Sequence, residues 1–314
     1  MRLIIINKKE NYVRPSPCAN CDSSFSKVLF RVKTGKYIKC LSCGLISVET
    51  FPSDKDMVSR ANYWAMKHHQ KPIKVDQHFS PLFQKFTYGN YLEKMESFRK
   101  TGNVLDIGCG IGSFVYAAQE RKWNSIGIDI GPSILVGNRY QLNLLNGKVE
   151  DMSFENSFFD VITLFDVIEH IIDLQSLMSK IGYFIREKGL IIIKTPNFSG
   201  LSSRILGKNW PAVQPQDHMH LFTPKTLHNL LEKFGFVVIK IETQDLNIFE
   251  LLRLGRNKNN KDKDQLLKRN FINIVYSSKF LREMRNLVNY LLNILHLGES
   301  IIIYAEYCPL EIID

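Results

Sequence analysis

Residues 103–112 read Asn-Val-Leu-Asp-Ile-Gly-Cys-Gly-Ile-Gly, an apolar run holding one acid and then three alternate glycines. Val104, Leu105 and Ile107 suit a buried strand, and Gly108, Gly110 and Gly112 let the backbone turn sharply and approach a ligand where a Cβ would collide. Ser113 to Lys122, apolar at Phe114, Val115, Ala117 and Ala118, predicts a helix whose N-terminus faces the same ligand. A dinucleotide fingerprint wants glycine or alanine at its sixth position, which counted from Gly108 is Ser113. Asp106 sits inside the turn, where it can hold an ammonium group or order the loop. That suits a ligand with an amino-acid end better than a pyrophosphate.

The segments that follow extend the pattern. Asn124 to Asp129 (NSIGID) is a second strand ending in an acid, and Asp129 lies about where a carboxylate can accept both hydroxyls of a ribose. Glu150-Asp151-Met152-Ser153-Phe154 follows a short third strand, Asp160 to Asp166 (DVITLFD) is a fourth, and Gly189 to Lys194 (GLIIIK) a fifth. The fourth is nearly all apolar, as expected of a strand covered on both faces. Strands alternating with helical segments predict a doubly wound α/β sheet of Rossmann-like type, with the ligand across the carboxyl ends of the first strands. Phe236 to Glu242 and Ser300 to Tyr307 are a sixth and a seventh strand.

With these motifs in place the chain resembles the class I S-adenosylmethionine-dependent methyltransferases, in particular the group related to ubiquinone-biosynthesis O-methyltransferases. The resemblance covers roughly Thr101 to Phe236 plus the last strand. It implies S-adenosylmethionine as cofactor, with Asp106, Gly108, Gly110 and Gly112 at its methionine end and Asp129 at its ribose. Asp151 and Met152 would lie at the adenine, and Phe165, which opens FDVIEH, also belongs to the cofactor side. It further implies a seven-stranded sheet with its last strand antiparallel, beside the sixth. A Rossmann-like fold for another nucleotide, or for none, is the alternative reading.

Four of the six cysteines form two knuckles, Cys18-x2-Cys21 and Cys40-x2-Cys43, at the spacing of a zinc ribbon. Asn20 and Gly44 sit where turns want them, and KVLFRV and KYIKC predict the supporting hairpin. Four thiolates leave zinc no open position, so the metal would be structural, replacing the core that so small a unit lacks. Reduced cysteines in a disordered arm are the alternative. Cys109 and Cys308 read as packing residues.

A length of 314 residues accommodates such a ribbon over 1–55, a helical cap over 56–100 and a catalytic domain over 101–314. Arg60 to Lys100 is predicted helical, with Phe83, Phe86, Leu92, Met95 and Phe98 packing onto the sheet. Thr223 is the predicted N-cap of a helix over Pro224 to Phe234. The sixth and seventh strands are separated by an insertion, 245–299, whose stripe of Phe280, Met284, Leu287, Leu291, Ile294 and Leu295 must be buried against the domain, a partner subunit or a membrane. Core packing is the expectation. No stretch reaches the roughly 18 to 20 apolar residues of a membrane span, and the N-terminal MRLIIINKKE lacks a cleavage site, so a cytoplasmic protein is expected. The formal charge is +10; Arg253 to Arg285 carries ten basic residues against three acids, a patch for a phosphorylated substrate, an anionic surface or RNA, or simply a solvated face.

Methyl transfer from a sulfonium is an in-line displacement, in which alignment matters most and a base serves only if the acceptor must lose a proton. Two clusters qualify for the acceptor side. Asp166-x-x-Glu169-His170 converges if it forms one helical turn, and Asp217-His218-Met219-His220 precedes the helix at Pro224. The first resembles the acid-x-x-Glu-His set by which related O-methyltransferases, including small-RNA 2′-O-methyltransferases, bind a divalent ion with a later histidine; Asp166 stands where those groups carry glutamate. Carried over by that motif, the ligands of a second divalent ion would be Asp166, Glu169, His170 and His218; Glu169, His170 and His218 are the candidate catalytic residues, with His170 or His218 as a general base. The expected function is O- or C-methylation of a small molecule or saccharide, since a ribbon before this domain resembles bacterial methyltransferases of surface-glycan and secondary metabolism. An RNA 2′-O-methyltransferase and a non-catalytic zinc-ribbon binding protein are the alternatives.

Overall fold

The computed structural model describes residues 17–69, 76–99, 101–245 and 279–309. The first described elements are three short antiparallel strands, β1 (Ser26–Val32), β2 (Gly35–Cys40) and β3 (Ile46–Val48). Helices α1 (Asp54–His69) and α2 (Pro81–Phe98) follow. Ser80 caps α2 by accepting from the Phe83 amide, with Pro81 pre-set in the first turn where a missing N–H costs nothing.

The glycine-rich turn predicted from sequence leads out of β4 (Asn103–Ile107) into α3 (Ser113–Glu120). Beyond it come β5 (Asn124–Asp129), α4 (Ile134–Gly137), β6 (Leu144–Asn146), β7 (Phe159–Phe165), α5 (Leu174–Phe184), β8 (Ile185–Pro196) and α6 (Leu201–Leu206). A two-residue strand, β9 (His220–Leu221), precedes α7 (Pro224–Lys233) and β10 (Phe236–Gln244), and the last described elements are α8 (Lys279–Ile294) and β11 (Ser300–Tyr307). The large sheet has the order β10-β11-β8-β7-β4-β5-β6, and β11 runs antiparallel to both its neighbours. This is the seven-stranded Rossmann-like sheet expected. Val161, Ile162 and Leu164 of β7 and Ile191 to Ile193 of β8 are all fully buried, which explains why those strands read as continuous apolar runs. Thr223 caps α7 in a reciprocal box with Thr226.

Two expectations are corrected. Phe86 and Phe98 of α2 are half exposed, because the helix turns Gln84, Leu92 and Met95 inward, with Tyr88 and Tyr91 packed on the same core. Met284, Leu287, Leu291, Ile294 and Leu295 are exposed as well, and Leu292 is the buried residue at the end of that stretch. Helix α8 docks instead through polar groups: Asn293 accepts from the Thr243 amide of β10 at 2.8 Å, and the Thr243 hydroxyl donates to the Leu292 carbonyl at 3.0 Å. In the first cysteine knuckle Asn20 lies within the turn, as expected, and Asp22 after it is left-handed at φ +57°. The side chain of Phe280 and the greater part of the basic stretch, residues 253–278, lie outside the described residues.

The ribbon does not stop at β3. Its sheet has the order β1-β2-β3-β9, so its fourth strand comes from the loop after β8.

Candidate active site

The carboxyl ends of β4, β5 and β7 form one half of the site. Gly108, Gly110 and Gly112 all have left-handed φ values, +73°, +57° and +80°. A Cβ on Gly108 would run into Val167, and one on Gly112 into Leu142 and Leu144, so these two positions need glycine for packing. Gly110 is different. A Cβ there meets no protein atom within 4 Å, so among these three glycines this one borders open space.

Asp129 at the end of β5 accepts from the Gly110 amide at 2.9 Å through one oxygen and from the Gly131 amide at 2.7 Å through the other. Each oxygen keeps a lone pair for a further donor. Burial pushes its carboxyl above the ordinary value, against the pull of the two amides. A Cβ on Gly131 would lie 3.3 Å from Ala61, so α1 closes over this end of β5. Asp106 is buried and accepts from the Thr163 hydroxyl at 2.7 Å; burial raises its carboxyl to about 7, with Asp129 adding repulsion and Thr163 opposing. Asp151 ends a 3-10 turn over Val149–Asp151, and half-buried Met152 approaches Gly147. Phe165 closes an aromatic group with Tyr88, Tyr91 and Phe114, at centroid distances of 6.1, 4.8 and 4.9 Å. Tyr88 and Tyr91 were not singled out in the sequence, although their four- and three-residue offsets from Gln84 and Tyr88 place them on the inner face of α2.

The other half is built on the 3-10 turn Ile168–His170 after β7. Buried Glu169 accepts from the Thr195 hydroxyl at 2.9 Å, and burial pushes its carboxyl to about 7. His170 Nδ1 lies 2.6 Å from the Asp217 carbonyl, an acceptor, so that nitrogen carries the proton and Nε2 presents its lone pair. Nε2 is 4.0 Å from Glu169 Oε1. The His218 ring stands edge-on to His170 with centroids 4.9 Å apart, and burial, followed by His170, lowers its value to about 4, so it is a neutral imidazole near neutrality. Its Nδ1 is buried without a protein partner.

Glu169, His170 and His218 thus meet, with one donor atom from each inside 4.8 Å of the others, a set that fits either proton transfer or a divalent ion. Asp166 does not join them. Its backbone is left-handed at φ +57°, which turns its carboxylate to Lys194 Nζ at 2.7 Å. Val167, against which Gly108 packs, belongs to the same turn as Glu169 and His170, so the two halves of the site share a wall. Arg60 of α1 reaches the second half by donating to the backbone and side chain of Gln216.

The four cysteine sulfurs also lie within 4.8 Å of one another, with Cys18 to Cys43 and Cys21 to Cys40 both at 3.6 Å. That is far beyond the ~2.05 Å of a disulfide and near the sulfur separation that a tetrahedron with ~2.3 Å zinc–sulfur bonds requires. The knuckles repeat each other: the Asp22 amide bonds the Cys18 carbonyl and the Gly44 amide the Cys40 carbonyl, while the amides of Cys18 and Cys40 reach Ser23 and Leu45. No described helix is long and apolar enough to cross a membrane.

Comparison with known proteins agrees with this geometry. The family model for a methyltransferase domain matches residues 88–241, from α2 to β10. A ubiquinone biosynthesis O-methyltransferase of Rickettsia akari is 23% identical over 193 residues, covering 54% of this chain and 71% of that protein. Among solved structures, a SAM dependent methyltransferase from Archaeoglobus fulgidus superposes with a TM-score of 0.50 at 22% identity, over 78% of this chain and 98% of that one. Phosphoethanolamine N-methyltransferase 2 of Haemonchus contortus, in complex with S-adenosyl-L-methionine, gives 0.52 at 21% identity, over 84% and 63%. At these identities the two structures establish the fold, and the matched domain establishes the chemistry. With its glycine turn, sheet order and antiparallel last strand, the chain is a class I S-adenosylmethionine-dependent methyltransferase.

Proposed function

We propose that this enzyme methylates a hydroxyl of a small-molecule or saccharide acceptor, with His170 as the base. The observation that carries the reading is the 2.6 Å contact of His170 Nδ1 with the Asp217 carbonyl, which fixes the tautomer and leaves Nε2 free beside Glu169. The cofactor supplies an electrophilic methyl; the chain aligns the acceptor and takes its proton. Asp106 and the turn Gly108 to Gly112 receive the methionine end, Asp129 the ribose, Asp151 and Met152 the adenine, and Phe165 lines the same pocket. Glu169 orients His170, and neutral His218 completes the wall. The relatives named for ubiquinone biosynthesis support a small hydroxylated acceptor. The ribbon cysteines Cys18, Cys21, Cys40 and Cys43 hold one structural zinc.

The test is a methyl-transfer assay with labelled S-adenosylmethionine offered nucleotide sugars, catechols or quinols, and RNA in parallel. Label is expected in a small hydroxylated acceptor. Label in RNA alone would overturn the acceptor class, and loss of turnover on chelation with the ribbon zinc retained would replace the base by a divalent ion on Glu169, His170 and His218.

A further inference from the structure

The loop that carries His218 is hydrogen-bonded on both sides. On one side the Met219 amide donates to the Glu169 carbonyl at 2.7 Å, and His170 holds the Asp217 carbonyl. On the other side the partners come from the ribbon. The Tyr37 hydroxyl donates to the His218 carbonyl at 2.7 Å, and the Val48 amide to the Met219 carbonyl at 2.9 Å. Ser47 pairs in register with His220, and its hydroxyl lies 2.8 Å from His220 Nδ1. Tyr37, Ile46 and Val48 share one buried cluster with Trp210, Val213, Met219 and Leu221. The side chain that makes the most selective of these contacts, Tyr37, is fully buried, and burial holds its hydroxyl protonated, as a donor must be.

From this arrangement we infer that the cysteine ribbon is the positioning element of the acceptor side, with Tyr37 and Ser47 as positioning residues that fix the backbone of residues 217–221 and so the placement of His218. The inference rests on the reading of Glu169, His170 and His218 as the acceptor side. Among the described residues none of the ribbon's hydrogen bonds reaches Asp106, the glycine turn or Asp129, so the cofactor half is expected to be independent of Tyr37 and Ser47. A shift of about 1 Å in an aligned group is enough to lower turnover up to about 100-fold, so one lost hydroxyl at this point is measurable.

Tyr37→Phe keeps the ring and removes the donor; Ser47→Ala does the same for the histidine contact. Hydrogen exchange of the full chain, which needs no acceptor, is expected to speed up about tenfold or more at the amides of His218 to Leu221 in both variants, with exchange across β4 to β7 unchanged. Turnover is expected to fall about tenfold, with the calorimetric affinity for S-adenosylhomocysteine and the KM for S-adenosylmethionine unchanged, a split that general destabilisation would not produce. Unchanged exchange at 217–221 in both variants overturns the inference, as does faster exchange with full turnover. If His218→Ala keeps full turnover, the reading of the acceptor side fails instead, and the exchange data still decide whether the ribbon holds the loop.

Discussion

Thr195 at the end of β8 donates its hydroxyl to Glu169 at 2.9 Å, and both side chains are buried. The pair links the fifth parallel strand to the turn after the fourth. Thr195→Val keeps the shape and leaves the carboxyl without its donor, which costs about 1–3 kcal/mol for a buried acceptor. Thermal unfolding is expected to show that loss, and turnover to fall, with S-adenosylhomocysteine binding nearly intact. A variant as active as the parent would show that Glu169 needs no fixed orientation.

Gly108 meets packed side chains and Gly110 open space, which separates a packing role from the proposed cofactor contact. Gly110→Ala places a Cβ where no protein atom lies within 4 Å, so folding should lose only the left-handed strain of about 1–2 kcal/mol. Calorimetry should show a larger loss in cofactor binding, tenfold or more. Gly108→Ala should instead drive against Val167 and lower expression or melting temperature first.

If Asp106 receives the ammonium end of the cofactor, as proposed, binding should depend on pH. Its folded value of about 7 lies above the ordinary 3.8, so its contribution to stability is full below about 3.8 and is lost as pH rises through about 7. An ammonium group beside it favours the charged form, so binding releases a proton at pH values below about 7. Affinity for S-adenosylhomocysteine should therefore rise between about pH 5.5 and 7.5, by up to about tenfold per unit. Asp106→Asn should flatten the profile; a profile that stays as steep assigns the proton to another group, with Asp129 the next in line.

Elemental analysis of the protein purified without added metal should find about one zinc per chain. Cys40→Ser should lose it and expose the N-terminal segment to protease. Unchanged metal content and protection would remove the ribbon assignment.

Chelation and substitution divide the roles of His170 and His218. Activity that survives thorough chelation but falls about 10²- to 10⁴-fold in His170→Ala identifies a base. If neither His170→Ala nor His218→Ala changes turnover, neither histidine acts on the acceptor.

How far the sequence could be read depended on whether a feature is local. The strand and glycine turn over 103–112, the acid at 129, the capped helix after Thr223 and the paired cysteines all announce themselves within a few residues. Asp166 did not, because a left-handed backbone at a non-glycine residue leaves no local signature, and that conformation sends its carboxylate to Lys194 and away from Glu169. The α8 stripe shows that amphipathic spacing identifies an apolar face without saying what covers it. Thr195, Tyr37 and Ser47 were invisible for a different reason: their partners lie 26, 181 and 173 residues away, and only the closed fold brings them together.

The pairing of β3 with β9 also has a consequence for synthesis on the ribosome. Residues 46–48 leave the exit tunnel long before residues 220–221, so the cysteine hairpin first exists with one edge strand unsatisfied and with Tyr37 and Val48 lacking the residues that bury them. Contacts of such wide separation close late, and an open strand edge is a template for the wrong neighbour until they do. The ribbon, made before β9, is thus finished only after it.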